Sequence, residues 1–141
     1  WFVAAPITDP RIGVLLPDMI AALLADPDVR VRVSDTSSPP PATPGYRPGA
    51  ALARAVRARD QHCRFPGCTV PANQCDLDHA IPHPEGPTSV GNLHALCRFH
   101  HLFKHHAGWH VRLDPDGSCH WTAPTGRTHT TRPPNPHDQA A

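Results

Sequence analysis

The order of apolar and polar residues predicts three helices. From Arg11 to Ala25 apolar residues recur at helical spacing, and Pro17, which is followed by an acidic residue, is typical of a helix start. The Ala-rich stretch 48–59 predicts a second helix. A third, short helix is predicted over Arg98–Ala107, since Gly108 is well placed to end it. The apolar face of this third helix consists of Phe99, Leu102, Phe103 and His106.

Short runs of apolar and β-branched residues between turn residues predict the strands. The predicted strands are Val29–Val33, Gln74–Ile81, a brief strand or turn at Leu93–Leu96, a hairpin of Trp109–Leu113 with Ser118–Thr122, and a further strand within Gly126–Arg132. Together with the helices, these strands predict an α+β fold.

Composition divides the chain into parts. Ser37–Gly45 is predicted to be a linker, because five of its nine residues are Pro or Gly. We expect residues 1–36 to be the C-terminal remnant of a preceding domain, since the chain begins with Trp rather than Met. Residues 46–132 are expected to form the functional module, and residues 133–141 a disordered polar tail.

The hydrophobic core is expected to be thin. The 141 residues include 19 Pro and only 6% aromatic residues, which favours a small core stapled by metal. Five Cys and no secretory leader predict metal binding in a cytoplasmic protein rather than a disulfide framework. No apolar run approaches the roughly 20 residues that span a bilayer, so no membrane partner is expected.

Positive charge is concentrated in the middle of the chain. Residues 47–112 hold seven Arg and one Lys against four acidic residues, a net charge of +4, whereas residues 1–46 carry −2. Such an excess is expected where a protein faces phosphate, although chance clustering on a solvated surface is an equal alternative. Arg54, Arg57 and Lys104 are the candidates for phosphate contacts, and simple solvation is the alternative for each.

Four residues predict a structural zinc site. Cys63 and Cys68 flank a Pro-Gly turn, and Cys97 and His100 lie three apart on one helix face. Three thiolates and one imidazole suit tetrahedral Zn²⁺, and a closed site of this kind contributes directly to folding. The alternative is that the cysteines are ordinary buried thiols.

A second set of residues predicts an open site for a divalent ion. Such an ion needs a carboxylate oxygen, an imidazole and free positions for water and phosphate, and Asp78 and His101 supply the first two. His105, one turn beyond His101, is a candidate third ligand. His79 is a candidate general base, since a neutral imidazole takes a proton from water near pH 7.

Two geometric rules bear on this second set. Adjacent helix residues point about 100° apart, so His100 and His101 are able to serve different metal ions. In an ideal strand Asp78 and His79 point to opposite faces. They share one site only if the strand bends or ends there, as Pro82 favours.

The order of these residues resembles the HNH-signature endonucleases, which belong to the ββα-metal finger nucleases. The matching series is Cys63…Cys68…Asp78-His79…Asn92-Leu93…Leu96-Cys97…His100-His101…Lys104. The segments RDQHCRFPGC, PEGPTSVGNL, LCRFHHLFKH and WTAPTGRTHT further resemble actinobacterial HNH proteins, in which the nuclease module follows a large helical N-terminal domain of unknown function. The resemblance covers about residues 46–132, and residues 11–35 resemble the end of that preceding domain.

The resemblance implies a small zinc-stapled ββα-metal module with a flanking helix and hairpin. It implies that His79 is the general base, that Asp78 and His101 bind the catalytic ion, and that Asn92 holds the loop that orients His79. The implied zinc ligands are Cys63, Cys68, Cys97 and His100. Many members have Cys where this chain has His100, which leaves the assignment of His100 and His101 open.

We therefore expect a metal-dependent endonuclease that hydrolyses phosphodiester bonds in nucleic acid, with double-stranded DNA as the expected substrate. The resemblance implies Mg²⁺, Mn²⁺ or a similar ion as the catalytic cofactor. The alternatives are a non-catalytic, zinc-dependent nucleic-acid-binding module and an inactive fragment of a longer nuclease. A binding module would need the four zinc ligands but not Asp78 with His79.

Overall fold

The computed structural model describes residues 8–9, 13–30 and 38–134. These residues fall into two units, one within residues 1–36 and the other from residue 38 to residue 134. None of the helices in the described ranges has the length and apolar content needed to cross a membrane.

In the first unit, a short strand pair precedes a helix. Strands β1 (Thr8–Asp9) and β2 (Gly13–Val14) pair antiparallel, and helix α1 spans Pro17–Ala25. Pro17 occupies the start of α1, which confirms the predicted helix start. The predicted strand at Val29–Val33 lies for the most part outside the described residues.

The second unit combines two helices with an antiparallel strand pair. Helix α2 spans Ala50–Asp60, and a 3₁₀ turn at Ala72–Gln74 leads into strand β3, Cys75–His79. Strand β3 pairs antiparallel with β4, Leu93–Cys97, and helix α3, Arg98–His106, follows β4 without a loop. The predicted helices at 48–59 and 98–107 are therefore confirmed to within two residues.

A three-stranded antiparallel sheet completes this unit. Its strands are β5 (His110–Leu113), β6 (Cys119–Thr122) and β7 (Thr128–Thr131), in the order β5-β6-β7. The predicted hairpin and the further strand are confirmed, and the small sheets with helices confirm the α+β class.

Strand β4 lies at the centre of the second unit, and all five of its residues are buried. Leu93 packs with Leu52 and Val56 of α2, whereas Leu96 belongs to the cluster around Trp121. A strand that is covered on both faces need not alternate apolar and polar residues. The sequence pattern therefore predicted only a brief strand or turn here.

The apolar face predicted for α3 does not enter the core. Its three large apolar residues are exposed, Phe99 by 67%, Leu102 by 44% and Phe103 by 37%. The helix instead turns His101 and Lys104 toward β3, because these groups have carboxylate partners there. The apolar stripe of α3 is therefore not the face that meets β3.

A buried ionic network fastens α2 to β4 and to the three-stranded sheet. The buried Asp60 carboxylate accepts hydrogen bonds from Arg59 Nε at 2.7 Å and from the backbone N–H of Ala95 at 2.8 Å. Arg64, which is also fully buried, lies 3.8 Å from the same carboxylate and donates to the Thr131 carbonyl at 2.8 Å. One carboxylate thus holds three parts of the unit together.

Replacement of Asp60 tests this network. We expect Asp60→Ala to lower the free energy of unfolding by about 3 kcal/mol, because it leaves the Arg64 charge buried without its partner. Urea denaturation followed by circular dichroism measures the change. The control is Arg112→Ala, which removes an exposed ion pair with Asp114 and should cost less than about 1 kcal/mol. Equal losses in the two variants would contradict the role given to Asp60.

Candidate metal centres

The first group of candidate ligands consists of Cys63, Cys68, Cys97 and His100, whose ligand atoms all lie within 4.8 Å of one another. His100 Nδ1 lies 3.3 Å from Cys97 Sγ and 3.6 Å from Cys63 Sγ, and Cys68 Sγ lies 4.0 Å from Cys97 Sγ. Tetrahedral zinc with Zn–S of about 2.3 Å and Zn–N of about 2.0 Å places such atoms about 3.5 to 3.8 Å apart. The group therefore has dimensions that fit a tetrahedral metal ion.

Local backbone structure brings the two halves of this group together. The turn between the first two cysteines is closed by the N–H of Cys68, which donates to the Phe65 carbonyl at 3.1 Å. Gly67 has a φ of 75° in this turn, a conformation that favours glycine. The N–H of Arg64 donates to the Ala95 carbonyl at 2.8 Å. The turn therefore lies against β4, whose last residue and the helix after it supply the other two ligands.

The protonation of this group suits a metal ion. Burial lowers the pKa of His100, so its imidazole is neutral at pH 7 and has a lone pair to offer. The Phe65 ring stacks on the His100 ring with centroids 4.1 Å apart, which fixes the direction of that imidazole. Burial raises the pKa of the Cys63 thiol, so metal binding would release its proton.

Removal of one thiol tests the first group. We expect Cys63→Ser to bind much less Zn²⁺ than the wild-type protein and to have a lower melting temperature, since a closed site supplies folding free energy. The control is Cys119→Ser, which changes a buried cysteine outside the group. Elemental analysis and circular dichroism measure metal content and melting. A Cys63→Ser protein that retains its full zinc content would contradict this assignment.

The second group of candidate ligands consists of Asp78, His101 and His105. Asp78 Oδ1 lies 3.3 Å from His101 Nε2 and 3.1 Å from His105 Nε2. The other oxygen, Oδ2, accepts a hydrogen bond from Lys104 Nζ at 2.5 Å and lies 3.6 Å from His94 Nε2. Because the two oxygens have different neighbours, Oδ1 is able to bind a metal ion together with the two imidazoles while Lys104 holds Oδ2.

The Asp78 carboxylate is buried but remains ionised. Burial raises its pKa, but the Lys104 ammonium and a hydrogen bond from His105 lower it by more, so the pKa of Asp78 lies below the ordinary range. An ionised carboxylate is the form that binds a cation.

Asp76 orients one of these imidazoles, a role that the sequence analysis missed. Its Oδ2 accepts a hydrogen bond from His101 Nδ1 at 2.9 Å, and this bond holds the pKa of Asp76 below its usual range. With the proton on Nδ1, His101 presents the lone pair of Nε2 toward Asp78. Asp76 and Asp78 are two apart on one strand face, and that spacing is the sequence signal that could have identified the pair.

Lys104, one of the candidates for a phosphate contact, is engaged within the protein. Its side chain is only 9% exposed, and its ammonium group donates to Asp78 Oδ2 and to the His79 carbonyl at 2.7 Å. The buried carboxylate requires a cation nearby, and Lys104, two turns into α3, supplies it. Arg57 is similarly engaged, since its Nε donates to the Ala72 carbonyl at 3.3 Å, whereas Arg54 is exposed.

His79 is not a member of the second group of ligands. Its ring is 4% exposed, its Nε2 lies 2.9 Å from Thr88 Oγ1, and the Tyr46 ring stacks on it with centroids 5.2 Å apart. Burial lowers the pKa of His79, so the imidazole is neutral at pH 7. Asp78 contacts α3, whereas His79, the last residue of β3, contacts the loop before β4. The strand therefore ends at His79, which is the condition for the two residues to serve one site.

Asn92 fastens the loop that follows His79. Its Oδ1 accepts from the N–H of Ile81 at 2.8 Å, and its Nδ2 donates to the carbonyls of Ile81 and Pro87, both at 2.9 Å. Gly86 has no room for a side chain, because a Cβ there would lie 2.5 Å from Asn92 Nδ2. The buried amide thus joins both ends of the loop immediately beyond β3.

His94 is a further polar residue beside Asp78 that the sequence analysis did not assign. It is fully buried opposite Asp78 in the β3–β4 register, and burial lowers its pKa to about 3. Neither ring nitrogen has a hydrogen-bond partner among the described residues. An unpaired buried polar group costs about 1 to 3 kcal/mol, so we expect the burial of His94 to be destabilising.

Replacement of Asp76 tests the second group. We expect Asp76→Ala to weaken Mn²⁺ binding about 10- to 100-fold, because His101 loses the partner that fixes its ring. The matched control is Asp114→Ala, which removes a similar aspartate from His120 in the three-stranded sheet. Isothermal titration calorimetry on the zinc-loaded protein measures the affinity. Equal Mn²⁺ affinities for the Asp76→Ala and wild-type proteins would contradict the proposed metal group.

Comparison with known proteins finds relatives in Mycobacterium tuberculosis. The uncharacterized protein Rv3776 is 55% identical over 91 residues, which are 64% of this chain and 18% of that protein. The uncharacterized protein Rv2100 is 56% identical over 93 residues, 65% of this chain and 17% of that protein. The matched stretch therefore spans less than a fifth of each relative's length. No protein-family profile and no solved structure matches the chain.

Proposed function

We propose that residues 46–132 form an HNH-type endonuclease module that hydrolyses phosphodiester bonds, with DNA as the preferred substrate. One observation supports this proposal: the adjacent residues His100 and His101 belong to two separate groups of candidate metal ligands. One group has the ligands of a closed structural zinc site, and the other has the open carboxylate–imidazole composition of a catalytic divalent site. The sequence resemblance supplies the reaction class.

In this proposal, Asp78, His101 and His105 hold Mg²⁺, Mn²⁺ or a similar ion. When bound, such an ion neutralises charge on the scissile phosphate and stabilises the leaving oxygen. Asp78 binds through Oδ1 because Lys104 holds Oδ2. Asp76 keeps His101 in the tautomer with a free Nε2 lone pair.

His79 is the proposed general base. The Thr88 hydroxyl donates its proton to the Tyr46 carbonyl at 3.5 Å. Thr88 Oγ1 is therefore available to accept a hydrogen bond from the Nε2–H of a neutral His79 ring. This arrangement leaves the lone pair on Nδ1 to take the proton of the attacking water. Lys104 and the Asn92 amide hold the backbone at and just after His79, through the His79 carbonyl and through Ile81.

Two observations favour a second candidate function, a non-catalytic nucleic-acid-binding module. The Lys104 ammonium already neutralises Asp78 without a metal ion, and the His79 ring is enclosed by Tyr46. In that case the first ligand group would still bind zinc, and Arg54 would contact backbone phosphates without cleavage.

A nicking assay on supercoiled plasmid decides between the two functions. Wild-type protein with Mg²⁺ or Mn²⁺ is expected to nick the plasmid, and His79→Ala to reduce the rate about 10²- to 10⁴-fold, the usual contribution of a general base. The control is His120→Ala, which changes a histidine of the three-stranded sheet and should leave the rate within twofold.

The assay also has outcomes that contradict the proposal. Retention of near wild-type nicking by His79→Ala, with zinc content unchanged, would overturn the role of the base. Plasmid that is retarded on a gel but not nicked at any metal concentration would favour the binding module.

A further inference from the structure

A continuous run of aromatic rings crosses from α3 to the three-stranded sheet. It consists of Phe99, Phe103, Trp109 and His129, which we call the aromatic strip. Neighbouring ring centroids along it are 5.7, 6.2 and 6.1 Å apart. None of these residues belongs to either ligand group.

The α3 end of the strip is accessible to solvent. Phe99 is 67% exposed and Phe103 is 37% exposed, while Trp109 and His129 are half-buried. Exposed aromatic rings lose the free energy that burial would give them, so an exposed run of rings marks a surface that a partner covers.

An open groove of about 620 Å³ lies at the sheet end of the strip. Trp109 and His129 line it together with Arg127 and the turn at 123–125. Arg127 is exposed, and no described residue forms an ion pair or hydrogen bond with its guanidinium group. The groove therefore combines aromatic surface with the positive charge of Arg127.

The surroundings of the strip favour an anionic partner. The segments 86–113 and 117–134, which contain the whole strip and Arg127, include no Asp or Glu. Aromatic rings that stack successive bases beside a cationic groove are the recurring features of single-strand binding sites. The carboxylates that contact α3 and the three-stranded sheet near these segments have basic partners: Asp76 contacts Arg98 and His101, and Asp114 contacts Arg112 and His120.

We propose that the aromatic strip binds unpaired bases of a single nucleic-acid strand, with Arg127 on the backbone phosphate. Phe99, Phe103 and Trp109 supply stacking surfaces, and the groove receives the nucleotide at the sheet end. The proposal deepens the proposed function, on which it rests, by naming single-stranded segments as the substrate class. The surface itself is separate from the metal groups.

Binding of a labelled oligothymidylate of about 20 nucleotides, followed by fluorescence anisotropy without added divalent ions, tests the strip. We expect Phe99→Leu and Phe99→Ala each to weaken binding about fivefold or more, since one base loses its stacking partner. Leu102→Ala is the matched control, because Leu102 is an exposed apolar residue on the same helix without a ring. It should change the dissociation constant less than about twofold.

Two further measurements make the test specific. Arg127→Ala is expected to reduce the slope of log K against log salt by about one, whereas Arg127→Lys should retain it. A duplex of the same length should bind the wild type more weakly than the single strand and respond less to Phe99→Leu. Circular dichroism verifies that each variant is folded.

The outcomes separate this inference from the proposed function. Tight single-strand binding that depends on Phe99 and Arg127 supports the strip even if the plasmid is never nicked. Equal effects of Phe99→Leu and Leu102→Ala would overturn the stacking role. Single-strand affinity unaffected by all of these variants would overturn the strip even if nicking depends on His79.

Discussion

The direct passage of β4 into α3 is the constraint on which both ligand groups depend. Because no loop intervenes, the position of Cys97 at the end of the strand fixes the rotation of the helix that follows. Each helical residue then turns about 100° from the last. His100 therefore faces the two cysteines of the turn, while His101 and His105 face Asp78. A shift of the helix start by one residue would misdirect both groups.

The buried carboxylate of Asp78 is a second constraint on the fold. Asp78 is 5% exposed, and an uncompensated charge at that depth would be costly. The Lys104 ammonium compensates this charge by donating to Asp78 Oδ2, and it also donates to the carbonyl of His79. The other oxygen is left to His101 and His105. Charge compensation and the arrangement of candidate ligands are therefore produced by one set of contacts.

Local signals in the sequence sufficed for most of the elements and for the close pairs of residues within each ligand group. Pro17 predicted the start of α1, and the spacings of Cys97 with His100 and of His101 with His105 placed each pair on one face of α3. These features depend on residues within one turn or one short strand of each other. The structure also separates His100 from His101, which the sequence left open.

The remaining features depend on contacts between distant parts of the chain. Lys104 and Asp78 form an ion pair although they are 26 positions apart in the sequence. The sequence around Lys104 therefore gave no sign that its side chain would be buried rather than solvated. The exposed face of α3 was unpredictable for the same reason, since the stripe of Phe99 and Phe103 resembles one that packs on a core. Only the register of β3 with β4 reveals that His94 lies opposite Asp78.

The most direct test of the account is the origin of the oxygen added on cleavage. Plasmid DNA is digested with Mn²⁺ in water enriched in ¹⁸O, and the terminal phosphates of the products are analysed by mass spectrometry. Hydrolysis by a water molecule that His79 deprotonates predicts one ¹⁸O atom in the phosphate at each cleaved bond. Intact DNA, or cleaved ends without ¹⁸O, would contradict a metal-dependent hydrolytic nuclease.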